Sequence, residues 1–281
     1  MSRVLLFCPT YKVDGVPQIK SMTKESIDGV IAPPNVELDK LIGMDNPYKN
    51  GGHRNTLHQY QKARGLVLSE GYDALLTIEH DMIVPEDALI KMWNTDAPVV
   101  YGVYRFRTAP YYINALEYNP GSKGIGSTYS LVPNKYAEAL KRGWAEVSGI
   151  GFGCTLIRRE ALEQFEFRAA DTNYPPDMGF AIDCFCNGIK QIARFDLLCG
   201  HILNNGQILY PTEEAVLKIK CKILVNFVGN VGESCTVFRA GEIVDLPEYE
   251  ANEYQRVGFL ELIEKPAVKI VHKPKSDKAV K

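Results

Sequence analysis

The stretch "YDALLTIEHDMIVPEDAL" (residues 72–89) places an apolar run directly before two carboxylates and a histidine. The apolar residues within 72–78 predict a buried strand. Pro85, followed by acidic residues, is typical of a first helical turn, so a helix is predicted over 85–93. Polar groups that follow a buried strand belong either to a plain loop or to a binding site, and the local spacing leaves both interpretations open.

Strand-like and helix-like segments alternate along the chain around this stretch. Apolar runs predict strands over 3–11, 35–45 and 97–105, and apolar spacings of three and four predict helices over 53–71 and 134–143. This alternation predicts an α/β fold, in which helices cover a parallel or mixed sheet. In such sheets, ligands bind beyond the carboxyl ends of the strands.

Composition and charge narrow the class of protein. The chain has 281 residues, of which 46% are hydrophobic and 23% charged, with a net charge of −2. These values allow a sizeable core and give no overall signature of nucleic-acid binding. The longest apolar runs are too short for a bilayer, and the start lacks a signal-peptide pattern. We therefore expect a cytoplasmic protein without a membrane span.

The seven cysteines form an odd-numbered set in apolar surroundings, which favours reduced buried thiols over a disulfide framework. Cys184, Cys186, Cys199 and His201 could instead form a zinc site. Structural zinc sites usually place two to four residues between the first two cysteines, and here there is one. Small apolar side chains in a helix and a strand are the favoured interpretation.

The character of the sequence changes beyond residue 212. Residues 1–212 are predicted to form the α/β domain, 216–265 a small β-rich module, and 266–281 a flexible lysine-rich tail. A nucleic-acid contact is a second interpretation of the tail. Residues 106–127, rich in Tyr, Asn, Gly and Pro, predict a long loop with a functional role.

Polar residues lie at or just beyond the ends of three predicted strands, namely Thr10 and Tyr11, then Asp45, then Glu79 and Asp81. Since parallel strands end at one edge of the sheet, these residues are expected to line one ligand site. Alternate carboxylates can hold a hard divalent cation that also takes oxygens from a diphosphate. If the strand period of two persists, Glu79 and Asp81 point the same way and His80 points away. The second interpretation is that Asp81 only caps the turn into the next helix.

Four segments carry a resemblance to a known family. They are "LLFCPTY" (5–11), "LLTIEHDMIVPEDAL" (75–89), "GIGFGCTLIRREALEQF" (149–165) and "GIKQIARFDLLCGHI" (188–202). In this order they resemble the metal-dependent glycosyltransferases of the GT-A fold, in the broad family-2-like group. The resemblance implies a Rossmann-like α/β fold, with a mixed, mostly parallel sheet and helices on both faces. The 216–265 module resembles, more weakly, small β modules of phage-type proteins.

The resemblance also implies a role for each candidate residue. It implies nucleotide-sugar binding by Thr10, Tyr11, Asp45, Glu79 and Asp81, binding of Mn²⁺ or Mg²⁺ by Asp81 and His201, and a catalytic base at Asp183 or Asp177. The base would take the proton of the acceptor hydroxyl, and in-line attack would invert the sugar carbon. The glycines at 149, 151 and 153 would leave room for the sugar or the acceptor.

Two positions depart from the family pattern. Glu79 stands where the family motif has its first aspartate, so the side chain is one methylene longer. The segment "FAIDCFC" (180–186) offers only Asp183 where the family has a Glu-Asp pair. The longer side chain leaves open whether Glu79 coordinates the metal directly. The missing Glu-Asp pair leaves the catalytic base open between Asp183 and Asp177.

The predicted function is that of a hexosyltransferase-type glycosyltransferase, with a UDP-sugar favoured as donor. The acceptor is a hydroxyl of a glycan, a protein, a lipid carrier or a modified nucleobase, and the oligomeric state is not indicated. One alternative is a nucleotidyltransferase that makes nucleotide sugars, which usually needs a Gly-rich loop after the first strand. The loop here, "CPTYKVDGVPQIK" (8–20), has no Gly-x-Gly run. The other alternative is a non-catalytic binding protein on the same fold.

Overall fold

A computed structural model gives the fold of most of the chain. It describes residues 1–13, 16–49, 51–107, 113–117, 127–128, 133–169, 176–211, 218–231, 234–247, 251 and 254–263. The predicted tail 266–281 and most of the predicted loop 106–127 lie outside these residues. No helix in the described ranges combines the length and apolarity needed to cross a bilayer.

Helices and strands alternate through the first two thirds of the chain, and strands dominate the last third. The helices are α1 (Ser21–Asp28), α2 (His53–Glu70), α3 (Ala88–Trp93), α4 (Pro133–Arg142), α5 (Arg159–Gln164) and α6 (Pro176–Cys186). The strands are β1 (Ser2–Pro9), β2 (Lys12–Val13), β3 (Val16–Pro17), β4 (Val36–Gly43), β5 (Ala74–Ile78), β6 (Met82–Ile83), β7 (Val99–Val103), β8 (Leu116–Glu117), β9 (Ser127–Thr128), β10 (Trp144–Glu146), β11 (Cys154–Arg158), β12 (Gln191–Leu198), β13 (Gly200–Ile202), β14 (Ile208–Leu209), β15 (Lys218–Ile223), β16 (Phe227–Val231), β17 (Ser234–Phe238), β18 (Ile243–Pro247) and β19 (Leu260–Leu262).

The main sheet is mixed but mostly parallel. Within the described residues it has seven strands, in the order β10-β12-β7-β11-β5-β1-β4. β1 pairs in parallel with β4 and β5, and β7 pairs in parallel with β12, whereas β11 and β10 run antiparallel to their neighbours. β5 and β7 are buried along their whole length, as strands covered on both faces are. The prediction of a Rossmann-like α/β fold is therefore confirmed.

The chain order of the strands creates a crevice at one edge of the sheet. From β1 the chain continues to β4 on one side, and from β5 it continues to β7 on the other side. Neighbouring strands whose connections diverge in this way leave a gap beyond their carboxyl ends, where α/β proteins bind ligands. Thr10 directly follows β1, and Glu79 directly follows β5, so both lie at this gap.

Two separate hydrophobic clusters stabilise the described residues. The larger one surrounds the main sheet and includes the fully buried Leu6, Leu76 and Phe152. The smaller one lies among β15 to β19 and contains Cys221, Ile223, Phe238, Leu246, Ala251 and Leu260. The limits 1–212 and 216–265 given above for the two parts remain a prediction.

Candidate functional site

The segment after β5 forms a tight turn instead of continuing the strand. The backbone N–H of Met82 donates to the carbonyl of Glu79 at 3.1 Å, and the chain then enters β6. β6 pairs antiparallel with β13, which sets Met82 opposite His201. The N–H of Ile202 also donates to the carbonyl of Asp81 at 2.8 Å. This short pairing brings Asp81 and His201 together from positions 120 residues apart.

Asp81 and His201 form a buried pair in which one imidazole nitrogen, Nε2 of His201, has no hydrogen-bond partner among the described residues. The Nε2 of His201 lies 3.5 Å from Oδ2 of Asp81, and the two residues are 5% and 3% exposed. The Nδ1 of His201 lies 2.6 Å from the carbonyl oxygen of Arg105 and so donates its proton there. Nε2 has no hydrogen-bond partner among the described residues. Nε2 therefore faces the carboxylate of Asp81 just beyond the distance of a good hydrogen bond.

Charges around Asp81 keep it ionised. Burial alone would raise the pKa of Asp81, but His201, His80 and Arg107 outweigh burial and lower it. Arg107 donates from Nη1 to Oδ2 of Asp81 at 2.7 Å, while its own side chain is 52% exposed. The oxygen that faces Nε2 of His201 is therefore the same one that accepts from Arg107.

The Asp81–His201 pair fits the requirements of a divalent cation. It combines an ionised carboxylate oxygen with an imidazole nitrogen whose tautomer is fixed by a backbone carbonyl. In the described part of the chain, no three His, Cys, Asp or Glu side chains are grouped to hold a metal. The described residues thus offer two ligands, and a diphosphate and water would have to complete the coordination, as is usual for Mg²⁺. Of these two cations, an imidazole ligand favours Mn²⁺ over Mg²⁺.

Two further carboxyl groups, Glu79 and Asp177, lie close enough to interact electrically. Burial raises the pKa of Glu79 to about 8, and the carboxylates of Asp177 and Asp81 add to the shift. The hydroxyl of Tyr60 donates to Oε1 of Glu79 at 3.3 Å. Burial also raises the pKa of Asp177, to about 6, although backbone N–H groups such as that of Met178, at 2.8 Å, oppose it. Acids with separated pKa values in one crevice are typical of sites that move protons.

Asp183, the other candidate base, is held differently. It lies on α6 like Asp177, but both of its oxygens accept from Arg168, at 2.7 and 2.6 Å. The two aspartates are six residues apart on one helix, so they lie on different faces. Asp177, not Asp183, shares the environment of Glu79. Of the two candidates, Asp177 is therefore the one that lies beside Glu79.

The glycines before β11 make room for protein side chains rather than for a ligand. A Cβ at Gly151 would lie 2.4 Å from the hydroxyl of Tyr104, 2.8 Å from Oδ2 of Asp177 and 2.9 Å from Nδ2 of Asn114. A Cβ at Gly149 would meet Ala181, and one at Gly153 would meet Tyr104. The expectation that these glycines leave space for a sugar or acceptor is therefore corrected. They allow Tyr104 and Asp177 to approach the backbone.

We expect Gly151→Ala to lower the free energy of unfolding by about 1–3 kcal/mol, because a methyl group has no space beside Tyr104 and Asp177. The matched control is Gly65→Ala, within α2, where a Cβ meets nothing within 4 Å. That substitution should stabilise the protein by about 0.5–1 kcal/mol. Urea unfolding of both variants measures the difference. Equal stabilities would show that the space at Gly151 is not filled as described.

Thr10 and Tyr11 differ in what they offer a ligand. Thr10 is buried, its hydroxyl donates to the carbonyl of Gln18 at 2.7 Å, and its own carbonyl accepts from Gln59 and Asn46. Its side chain therefore holds the loop after β1 in place. Tyr11 is 51% exposed, with its ring edge-on to His80 at 5.9 Å. The ring of Tyr11 is thus available for stacking with a ligand.

Asp45 lines a cavity of about 340 Å³ beside the ends of β1 and β4. The carboxylate accepts from Nε2 of His58 at 3.0 Å and from Nζ of Lys62 at 3.1 Å. These two contacts lower the pKa of Asp45. Lys12 also lines the cavity, together with Phe7, Leu41, Ile42, Gly43, Met44, Gln59, Lys62 and Leu66. The volume is at the lower end of the range of small-molecule sites.

Asp81, His201, Glu79 and Asp177 therefore lie together near the end of β5, whereas Asp45 lines the cavity beside β1 and β4, and Asp183 is paired with Arg168. The sequence patterns do not indicate Tyr104, whose ring packs edge-on to His201 at 5.5 Å. A signal for it exists, because Tyr104 directly follows β7 in the way that Thr10 follows β1.

Comparison with known proteins leaves the family open. No protein-family model and no curated protein matches the chain. Among solved structures, the chain is similar to A197 from STIV, at 18% identity and a TM-score of 0.45, over 75% of this chain and 94% of that one. It is also similar to the inositol-1-phosphate CTP transferase from T. maritima, at 12% identity and a TM-score of 0.38, over 70% and 88% of the two chains. Likeness at this level does not distinguish one activity from another.

Proposed function

We propose that the protein is a metal-dependent, inverting glycosyltransferase with the GT-A fold. It would move a sugar from a nucleotide sugar, with a UDP-sugar favoured, to a hydroxyl acceptor. The observation that carries the proposal is the buried Asp81–His201 pair at the crevice between β1 and β5. Nε2 of His201 and the ionised carboxylate of Asp81 would be the protein ligands of the metal, and oxygens of the diphosphate would supply further ligands.

The residues around the pair suit the parts of a nucleotide sugar. Asp81 and His201 would hold Mn²⁺ or Mg²⁺, which would supply charge neutralisation for the departing diphosphate. Tyr11, with its exposed ring, would stack on the nucleoside, and Thr10 would fix the loop that carries Tyr11. The cavity beside Asp45 would bind the part of the nucleoside that is farthest from the diphosphate. Glu79 would contact a ribose hydroxyl.

Asp177 would act as the base in a single displacement. Its carboxylate accepts the proton of the acceptor hydroxyl while the acceptor oxygen bonds to the sugar carbon. The bond from that carbon to the diphosphate oxygen breaks, and its electron pair leaves with the diphosphate. Attack from the side opposite the leaving group inverts the carbon. The first turn of α6 holds Asp177 with backbone N–H groups, which fixes the direction of the carboxylate.

Release of nucleoside diphosphate tests the proposal. The full chain is incubated with UDP-, GDP- and dTDP-sugars, with and without Mn²⁺ and candidate hydroxyl acceptors, and the released nucleotide is measured. Metal-dependent release of nucleoside diphosphate supports a glycosyltransferase. Formation of a nucleoside triphosphate from a nucleotide sugar and pyrophosphate would support a nucleotidyltransferase instead. Binding of a nucleotide sugar with neither product would support a binding protein.

We expect turnover at saturating donor to rise about tenfold per pH unit below pH 6 and to level off above it. The physical reason is that burial raises the pKa of Asp177 to about 6, and only the ionised carboxylate can accept a proton. A pH–rate profile from pH 4.5 to 8 measures the inflection, and Asp183→Asn serves as the control that should keep it. A profile that is flat between pH 5 and 7 would contradict the role of Asp177.

A further inference from the structure

The contact between Arg107 and Asp81 occupies the oxygen that a metal would use. Arg107 Nη1 lies 2.7 Å from Oδ2 of Asp81, and Nε2 of His201 lies 3.5 Å from the same atom. A cation placed between Asp81 and His201 would therefore meet the guanidinium of Arg107. The two positive groups cannot share this oxygen at contact distance, because like charges that close repel strongly.

Arg107 supplies the charge that the buried carboxylate needs while no metal is bound. The side chain of Asp81 is only 4% exposed, and a buried charge without a partner is strongly destabilising. The side chain of Arg107 is 52% exposed, so its guanidinium can leave the carboxylate without unpacking the core. The backbone two residues before Arg107 is held at the pair, because the carbonyl of Arg105 accepts from Nδ1 of His201, so Arg107 stays within reach of a group bound there.

We propose that Arg107 is an exchangeable counter-ion, which pairs with Asp81 in the free protein and passes to the diphosphate when metal and nucleotide bind together. This inference rests on the proposed function. The planar guanidinium matches phosphate oxygens in a bidentate geometry, so the diphosphate is a suitable second partner. The metal alone would have to displace Arg107 without giving it a new partner. Metal and diphosphate therefore strengthen each other's binding through Arg107.

The test measures Mn²⁺ binding and UDP binding separately, on the full chain, by electron paramagnetic resonance and calorimetry. For Arg107→Ala we expect Mn²⁺ alone to bind about tenfold more tightly, because its competitor is gone, and UDP with Mn²⁺ to bind about tenfold more weakly. Arg107→Lys keeps a charge and should fall between Arg107→Ala and the wild type. The matched control is Arg168→Ala, which removes an arginine that is 48% exposed and paired with Asp183 at 2.6 Å. It should change neither affinity.

The opposite signs of the two changes distinguish this role from a structural one. If Arg107→Ala weakens both ligands or changes neither, while the wild type binds both, the exchange is wrong and the proposed function stands. If UDP binds without Mn²⁺ and Arg107→Ala removes that binding, the arginine permanently replaces the metal, and both the exchange and the metal dependence are wrong. If the wild type binds neither Mn²⁺ nor any nucleotide, the proposed function fails, and the inference fails with it. Should Arg107→Ala not fold, Arg107→Gln tests the same prediction.

Discussion

Asp81→Asn is expected to reduce metal-dependent release of nucleoside diphosphate by roughly a thousandfold or more, because the cation loses its only anionic protein ligand of the pair. The amide keeps the shape of the carboxylate but carries no charge for a cation. Nε2 of His201 then remains as the single strong metal ligand of the pair, 3.5 Å from a neutral oxygen. Steady-state turnover across a Mn²⁺ titration measures the loss, and excess Mn²⁺ should not restore it.

The control for this prediction is Asp28→Asn, which also removes a carboxylate from an ion pair. Asp28 lies on α1 and accepts from Lys24 at 2.6 Å, with both side chains well exposed. Exposed pairs contribute about 0–1 kcal/mol, so this variant should keep wild-type turnover and stability. Circular dichroism of Asp81→Asn must show the native fold. A folded Asp81→Asn protein with unchanged turnover would exclude the metal site at the Asp81–His201 pair.

The long elements of the fold follow directly from local patterns. The helix predicted over 53–71 is α2, His53–Glu70, because its apolar spacing is regular and Gly71 takes a left-handed φ of 76° at its end. The strand predicted over 72–78 is β5, Ala74–Ile78. The helix predicted over 85–93 begins later, at Ala88, since the N–H of Ala88 donates to the carbonyl of Pro85 in a turn that comes first. Boundaries shift because turns compete with the first helical turn.

The site depends on contacts that no local pattern contains. The strand period predicts that Glu79 and Asp81 point the same way, but the turn closed by Met82 ends that period at residue 79. The pairing of β6 with β13, strands of two and three residues, brings His201 to Asp81. Elements this short have no periodicity to recognise. Only the family resemblance links Asp81 with His201 in the sequence, and the structure shows the two side chains 3.5 Å apart.

The choice of base shows the same limit. Asp177 and Asp183 both lie on α6, and the sequence does not show which face of this helix is turned toward Glu79. Only the packing of α6 decides this, through the contact of Asp177 with the backbone at Gly151 and the pairing of Asp183 with Arg168. The absence of a side chain at Gly151 is the part of this arrangement that was visible in the sequence. The sequence does not show what fills the space beside Gly151, because a glycine can make room for a ligand or for a protein side chain equally.

We expect Asp177→Asn to lower kcat by about 10²–10⁴-fold while leaving the KM of the donor nearly unchanged, because a base acts in the transition state and not in donor binding. Asp183→Asn is the matched control, an acid on the same helix that is paired with Arg168 and not with Glu79. It should keep turnover within a few-fold of the wild type. If Asp183→Asn loses turnover and Asp177→Asn keeps it, the base is Asp183.

The same substitution should change stability in the direction opposite to activity. Burial raises the pKa of Asp177 from 3.8 to about 6, so the folded protein binds this proton more tightly than the unfolded chain does. That contribution to stability is fully present below pH 3.8 and is lost as the pH rises through 6. Asparagine avoids burying the charge, so we expect a higher melting temperature than that of the wild type at pH 8, with a gap that narrows toward pH 5. A residue that served only to stabilise the fold would show the reverse, because its replacement would lower the melting temperature at pH 8. Loss of turnover together with higher stability is thus the combined signature that assigns Asp177 to catalysis.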